Sequence, residues 1–192
     1  VKIPDWYIKS CERVQYLFPK AHAVAYVLMA YRIAYCKVHY PKHFYASYFT
    51  VRATDFDYTH VSKGLHYIKN FIKSVYQQGY KASNTDKDAA TYLELANEMI
   101  ERGYEFEKID LYKSHPTKFT ITKKGLLPPL ASLSGVGNSA ALAIAAVRDP
   151  QNPFISREDL RLRAGIGKAV VERMAEMGVL NDLPESNQID LF

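Results

Sequence analysis

Cysteine is scarce in this sequence: Cys11 and Cys36 are the only two in 192 residues, with no C-x-x-C pair and no Cys/His cluster. That scarcity argues against both a disulfide framework and a structural zinc site, and a reducing cytoplasmic setting is expected. Long apolar runs are missing too. The longest, Ala23 to Tyr31, falls far short of the about 20 residues that span a bilayer, and Arg32 and Lys37 follow on the same helix. No membrane segment is expected. There is no signal peptide, and a chain opening at Val1 instead of methionine is expected to be a fragment or processed piece. Tryptophan occurs once, as Trp6 beside Pro4 and Asp5, where it is expected to anchor the first helix in the core. The six histidines are scattered, and His39 and His43 straddle Pro41 without forming a helical pair, so no metal site is expected.

Acidic residues are scarce only at one end. Residues 1–82 carry 12 Lys/Arg against 4 Asp/Glu, residues 83–125 carry 7 against 8, and residues 126–192 carry 6 against 8, so the net charge of +5 is wholly N-terminal. The same stretch holds most of the tyrosines. Basic groups interleaved with aromatics suit phosphates and stacked bases, and a solvated basic face over an aromatic core is the alternative.

What is present is enough to fill a core: 48% of residues are hydrophobic. Apolar spacing predicts helices from Asp5 to Leu17, from Ala21 to Tyr40 with a stop at Pro41, and from Lys42 to about Arg52. Two more are predicted over Val61–Gln78 and Ala89–Arg102, ended by Gly79 and Gly103. Between Tyr104 and Leu127 the pattern shortens to "TKFTIT" and "GLLPPL", which reads as a small strand pair turning at Lys124 and Gly125.

The last third contains a duplication. "LSGVGNSAALAIAAVRDP" and "LRLRAGIGKAVVERMAEMG" share one layout of short helix, Gly-x-Gly bend and second helix, with Gly135 and Gly165 30 residues apart. Asp149, Pro150, Asn152 and Pro153 break the chain between them, and Ser156 with Asp159 resembles a capping box. Glycine supplies the positive φ and the bare backbone with which successive N–H groups can reach a phosphate at a helix start. Leu133 to Ala141 match the helix-hairpin-helix pattern, with Val136 expected to anchor the bend in the core and Ala141 to admit close helix approach. Arg163 and Val171 depart from it in the second copy. The candidate backbone-phosphate residues are Gly135, Val136, Gly137 and Asn138, and Gly165, Ile166, Gly167 and Lys168. Contact of this kind positions without reading sequence. After Gly178 the pattern dissolves, and residues 181–192 are expected to be a mobile tail.

"DFD", Asp55 to Asp57, could aim two carboxylates at a metal, but no third acidic group is near and Thr54, Tyr58 and Thr59 favour a polar loop between helices. Lys20 and His22 stand at the start of a helix, where its dipole, an ammonium and an imidazole would converge on triphosphate oxygens. A solvent-exposed helix start is the alternative.

"IPDWYIKSCERVQYLFPKAHAVAYVLMAYRIAYCKVHYPKHFYASYFTVR", "DLYKSHPTKFTI" and "LLPPLASLSGVG" resemble the C-terminal region of the PolC-type bacterial DNA polymerase III alpha subunit, and the likeness covers essentially the whole chain. It implies a mainly α fold with a small β element: a fingers region at 1–82, a connection at 83–125, a tandem helix-hairpin-helix domain at 126–180 and a clamp-binding tail at 181–192. Lys20 and His22 would bind the incoming deoxynucleotide triphosphate, the two hairpins duplex DNA, and Gln188, Ile189, Asp190, Leu191 and Phe192 the sliding clamp; other replisome subunits are possible partners. The family's palm, whose aspartates hold Mg²⁺, lies upstream of the matched region, so the segment is expected to be inactive alone and to carry no cofactor. A stand-alone DNA- and clamp-binding module is the alternative. A helix-hairpin-helix glycosylase is disfavoured, since no lysine precedes the helix at Asn138.

Overall fold

The computed structural model describes residues 3–14 and 19–186. The fold is mainly α with a small β element, as expected. Chain contacts divide it into two compact units, Val1–Pro41 and Lys42–Phe192. The segments 1–82, 83–125, 126–180 and 181–192 are divisions by role, which chain contacts do not decide.

The first unit contains α1 (Asp5–Glu12) and α2 (Lys20–His39). The helix expected over Asp5–Leu17 thus ends at Glu12, and Gln15 to Phe18 lie outside the described residues. Trp6 is 70% exposed, so it does not anchor a core here, and its ring meets Tyr7 edge-on. No residue of α2 is buried, although Val24, Val27, Leu28, Met29 and Ile33 run along it. A helix apolar all round is ordinarily enclosed.

Helix α3 (Pro41–Val51) runs from the last residue of the first unit into the second, and Pro41 starts a helix instead of merely ending one, because proline suits a first helical position. Then come α4 (Tyr58–Ser62), α5 (Leu65–Gln78) and α6 (Asn84–Glu101). The single helix expected over Val61–Gln78 is broken at Gly64, whose φ of +86° only glycine adopts cheaply. Helix α6 starts five residues earlier than its apolar pattern does, because the Ser83 side chain accepts the Asp86 N–H as a cap.

Three short strands form the β element: β1 (Glu105–Phe106), β2 (Thr120–Ile121) and β3 (Gly125–Leu127) in the order β1-β3-β2. The expected pair is β2 with β3, antiparallel, joined by a turn at Thr122–Lys124; Gly125 belongs to β3 instead of to the turn. The unforeseen partner is β1, parallel to β3. Lys42 Nζ donates to the carbonyls of Thr122 and Lys123 and so ties α3 to that turn.

Phe49, Phe56, Phe106 and Phe119 pack with centroids 5.0–6.2 Å apart, and Tyr45, Tyr58 and Tyr92 are buried around them. The aromatics of residues 1–82 therefore divide the sequence expectation: Tyr45, Phe49, Phe56 and Tyr58 build a core, while Tyr26, Tyr31, Tyr35 and Tyr40 of the first unit are exposed. One apolar cluster runs from Tyr45 through Leu93 and Leu126 to Leu180.

The last third holds α7 (Asn138–Val147), α8 (Arg157–Ala164) and α9 (Lys168–Glu176). The short helix expected before the first bend is only a 3₁₀ turn, Leu130–Ser132, because Pro128 and Pro129 leave no room upstream for a longer one. The tail expected to be mobile from residue 181 is docked through its first part. Leu180 is buried, and the carbonyls of Pro184 and Glu185 accept the N–H groups of Arg157 and Glu158 at the start of α8.

Candidate nucleic-acid interface

The two bends share one residue pattern. Gly135 and Gly165 carry φ of +87° and +62°, the left-handed region in which a side chain strains the backbone. Val136 and Ile166 follow, both buried, then Gly137 and Gly167 as the N-caps of α7 and α9. The 30-residue spacing also pairs Leu130 with Leu160, Ala141 with Val171 and Ile144 with Met174, all buried. Arg163 stands where the first copy has Leu133, and its guanidinium lies 4.5 Å from the Phe154 ring centroid while donating to the carbonyls of Val147 and Asn152. The departure in the second copy is thus a tie between copies.

The second glycines differ from the sequence expectation in their reason. Gly137 and Gly167 have φ of −69° and −70°, extended conformations open to any residue, and a Cβ added to either would meet nothing within 4 Å. Neither backbone nor packing demands glycine there. Glycine at the N-cap has no side chain with which to cap either helix, whereas Asp57, Ser83 and Ser156 cap α4, α6 and α8. A glycine N-cap brings no side chain to the first-turn N–H groups of α7 and α9, of which only that of Val170 is described as donating, to the Gly167 carbonyl at 3.1 Å.

Asn138 opens α7 and lines a cleft of about 320 Å³ together with Thr117 and Lys118. The loop that carries those two is held by His115, whose Nδ1 accepts the N–H groups of Thr117 and Lys118 at 3.0 Å each. Its carbonyl and that of Pro116 accept from Leu130 and Ala131 at the start of the first hairpin. Burial, then the charges of Lys118 and Arg148, push the His115 imidazole below its ordinary pKa, which keeps Nδ1 an acceptor. Sequence reading missed Lys118, since only the fold sets it beside Asn138. Lys168 opens α9 and pairs with Glu172 at 3.5 Å. The cleft of about 670 Å³ beside it sets Arg157, Arg161 and Lys168 against Glu158, Glu172 and Glu185 and is balanced in charge.

Lys20 and His22 occupy the first turn of α2, both exposed, with His22 edge-on to Tyr26 at 4.5 Å. They belong to the first unit and the hairpins to the second. Gln188 to Phe192 lie outside the described residues. Asp57 Oδ1 accepts the Thr59 N–H, and Asp55 meets the Thr54 hydroxyl, in the polar loop before α4. Among the described residues no three His, Cys, Asp or Glu side chains gather where they could hold a metal ion.

Among known proteins, a family model described as the helix-hairpin-helix motif matches residues 103–189. The DNA polymerase III PolC-type of Caldanaerobacter subterraneus subsp. tengcongensis is 54% identical over 99% of this chain, and that of Halalkalibacterium halodurans 52% identical over 99%. The same protein of Listeria monocytogenes is 48% identical over the chain's full length. The chain is a homologue of one segment of PolC-type DNA polymerase III. It spans 13–14% of the length of these PolC-type relatives. Likeness to PolC extends over both units, so Lys20 and His22 fall inside the matched region together with the two bends. Among the described residues no helix is long and apolar enough to cross a membrane.

Proposed function

We propose that the chain is the part of a replicative DNA polymerase that grips duplex DNA behind the growing end, contributes to holding the incoming deoxynucleotide triphosphate and tethers the enzyme to its sliding clamp. The observation that carries the reading is the pair of N-cap glycines, Gly137 and Gly167, which no backbone dihedral and no packing contact among the described residues requires. A phosphate oxygen at each would accept the first-turn N–H groups of α7 and α9 and meet the positive helix end, worth about 0.3–1 kcal/mol per charge. Gly135, Val136, Gly165 and Ile166 shape the bends, Asn138 and Lys168 open the two helices, and Lys118 adds a cation beside the first. Contact of this kind is indifferent to sequence and sensitive to salt. Lys20 and His22 would serve the triphosphate, and Gln188, Ile189, Asp190, Leu191 and Phe192 the clamp. Nucleotidyl transfer itself, with its Mg²⁺ and carboxylates, belongs to the rest of the enzyme, in the cytoplasm. The uncovered apolar surface of α2 fits a piece enclosed by a larger body.

Gly137→Asp tests the grip. The added side chain has room, and aspartate caps a helix better than glycine, so stability should hold or rise by about a few tenths of a kcal/mol. Duplex affinity of the chain at low salt should fall at least about tenfold, because the carboxylate takes the N–H groups and repels phosphate. Unchanged duplex affinity would remove the hairpin role. Lys20→Ala in the complete polymerase should raise the nucleotide concentration needed or lower turnover by about tenfold, roughly 1.4 kcal/mol, with melting unaltered. Loss of stability in place of that change would make Lys20 a structural residue.

A further inference from the structure

Arg173 sits on α9, outside both bends, and reaches across the duplication to the other copy. Its Nε donates to the Ser134 carbonyl at 3.1 Å, one guanidinium NH₂ group donates to the Thr59 hydroxyl at 3.3 Å, and the other pairs with Glu176 at 3.0 Å. Its Cγ lies 3.6 Å from where a Cβ on Gly135 would stand. One side chain of the second hairpin thus holds the peptide that enters the first bend and, through Thr59, the start of α4. Thirty residues earlier the first copy has Ala143, so the tie runs in one direction and is not part of the repeated hairpin.

We infer that Arg173 is the positioning residue that locks the two hairpins and α4 into one duplex-gripping unit. The inference rests on the reading of the hairpins as the duplex grip. Holding the Ser134 carbonyl fixes the plane of the peptide leading into Gly135, and with it the direction in which Gly137 and the first N–H groups of α7 face. Glycine at 135 gives that bend freedom that has to be removed before two phosphates can be met together. The planar fork of arginine reaches three partners at once; a lysine ammonium at the same place cannot span them.

The test uses the whole chain and a short labelled duplex at low salt, with unfolding followed on the same samples. R173Q and R173K should both weaken binding, by roughly fivefold to tenfold, and the double variant R173Q/G137D should bind no more weakly than G137D alone, since both act through the first bend. T59V, which removes only the far anchor, should weaken binding in the same direction by less, and serves where R173Q fails to fold. Full recovery by R173K would reduce Arg173 to a charge and overturn the proposal, as would additive losses in the double variant, which mark a separate phosphate contact. Wild-type binding by R173Q while G137D is weak would overturn the lock and leave the grip standing. Wild-type binding by G137D would remove the grip itself.

Discussion

Alanine at Gly125 should destabilise the second unit by about 3 kcal/mol or more, lowering its melting temperature by roughly 6–12 °C. The reason is contact with backbone. A Cβ at this position would stand 2.1 Å from the Glu105 carbonyl oxygen and 2.6 Å from the Glu105 nitrogen, and neither can turn away as a side chain would. Strands β1 and β3 would have to part, losing the bonds from Glu105 N–H to the Lys124 carbonyl and from Glu107 N–H to the Leu126 carbonyl, at about 1 kcal/mol each. They would also loosen the burial of Leu126 and Leu127. The damage should reach the interface, because β3 runs through Pro128 and Pro129 directly into the 3₁₀ turn that opens the first hairpin. Gly125→Ala should therefore lower duplex affinity as well as stability, whereas Gly137→Asp lowers affinity alone. An unchanged melting temperature would mean that β1 and β3 do not approach this closely.

How much of this could be read beforehand depended on whether a feature is local. The duplicated bends were legible because glycine, a buried aliphatic and glycine recur at a fixed spacing, and each bend is specified by its own few residues. Boundaries were less so. The first turn of α6, "NTDKD", is polar, so apolar periodicity cannot see it, and only the Ser83 cap marks the start. Gly64 lies inside an otherwise continuous helical pattern, and its break comes from backbone dihedrals that the pattern does not encode. Strand β1 was invisible for another reason: two residues paired in parallel with a segment some twenty residues on have no alternation to detect. The interface divides in the same way. Gly135 to Asn138 and Gly165 to Lys168 were named from sequence, while Lys118 and Arg173 take their places from tertiary contacts, through the His115 loop and across the duplication. The same limit explains the tail, where the Pro184 and Glu185 carbonyls meet N–H groups of α8 that only the fold brings near.

Replacing Leu191 and Phe192 by alanine in the complete polymerase should abolish clamp-stimulated, long-range synthesis and spare synthesis on short primed templates. "QIDLF" resembles the clamp-binding pentapeptide Gln-Leu-x-Leu-Phe, with Ile189 at the usual leucine. Two large apolar side chains after the polar "NDLPESN" are an aggregation liability unless a pocket receives them. A segment that acts on a partner outside the chain can be changed without unfolding it, so the melting temperature should be unchanged. On the proposed reading, burying each side chain in a groove of the clamp would be worth about 1.5–3 kcal/mol, with Gln188 adding a directional hydrogen bond and Ile189 and Asp190 contributing less. After the cost of ordering the peptide, that amounts to about micromolar binding for the isolated segment. Such strength is insufficient in free solution but sufficient on DNA, where a polymerase gripping the duplex and a clamp encircling it hold the two partners at an effective concentration near millimolar. Losing both side chains should therefore cost a factor of about 10² to 10⁴ in clamp attachment, enough to turn long synthesis into short runs. Retained clamp stimulation in the double variant would take the clamp role from this tail.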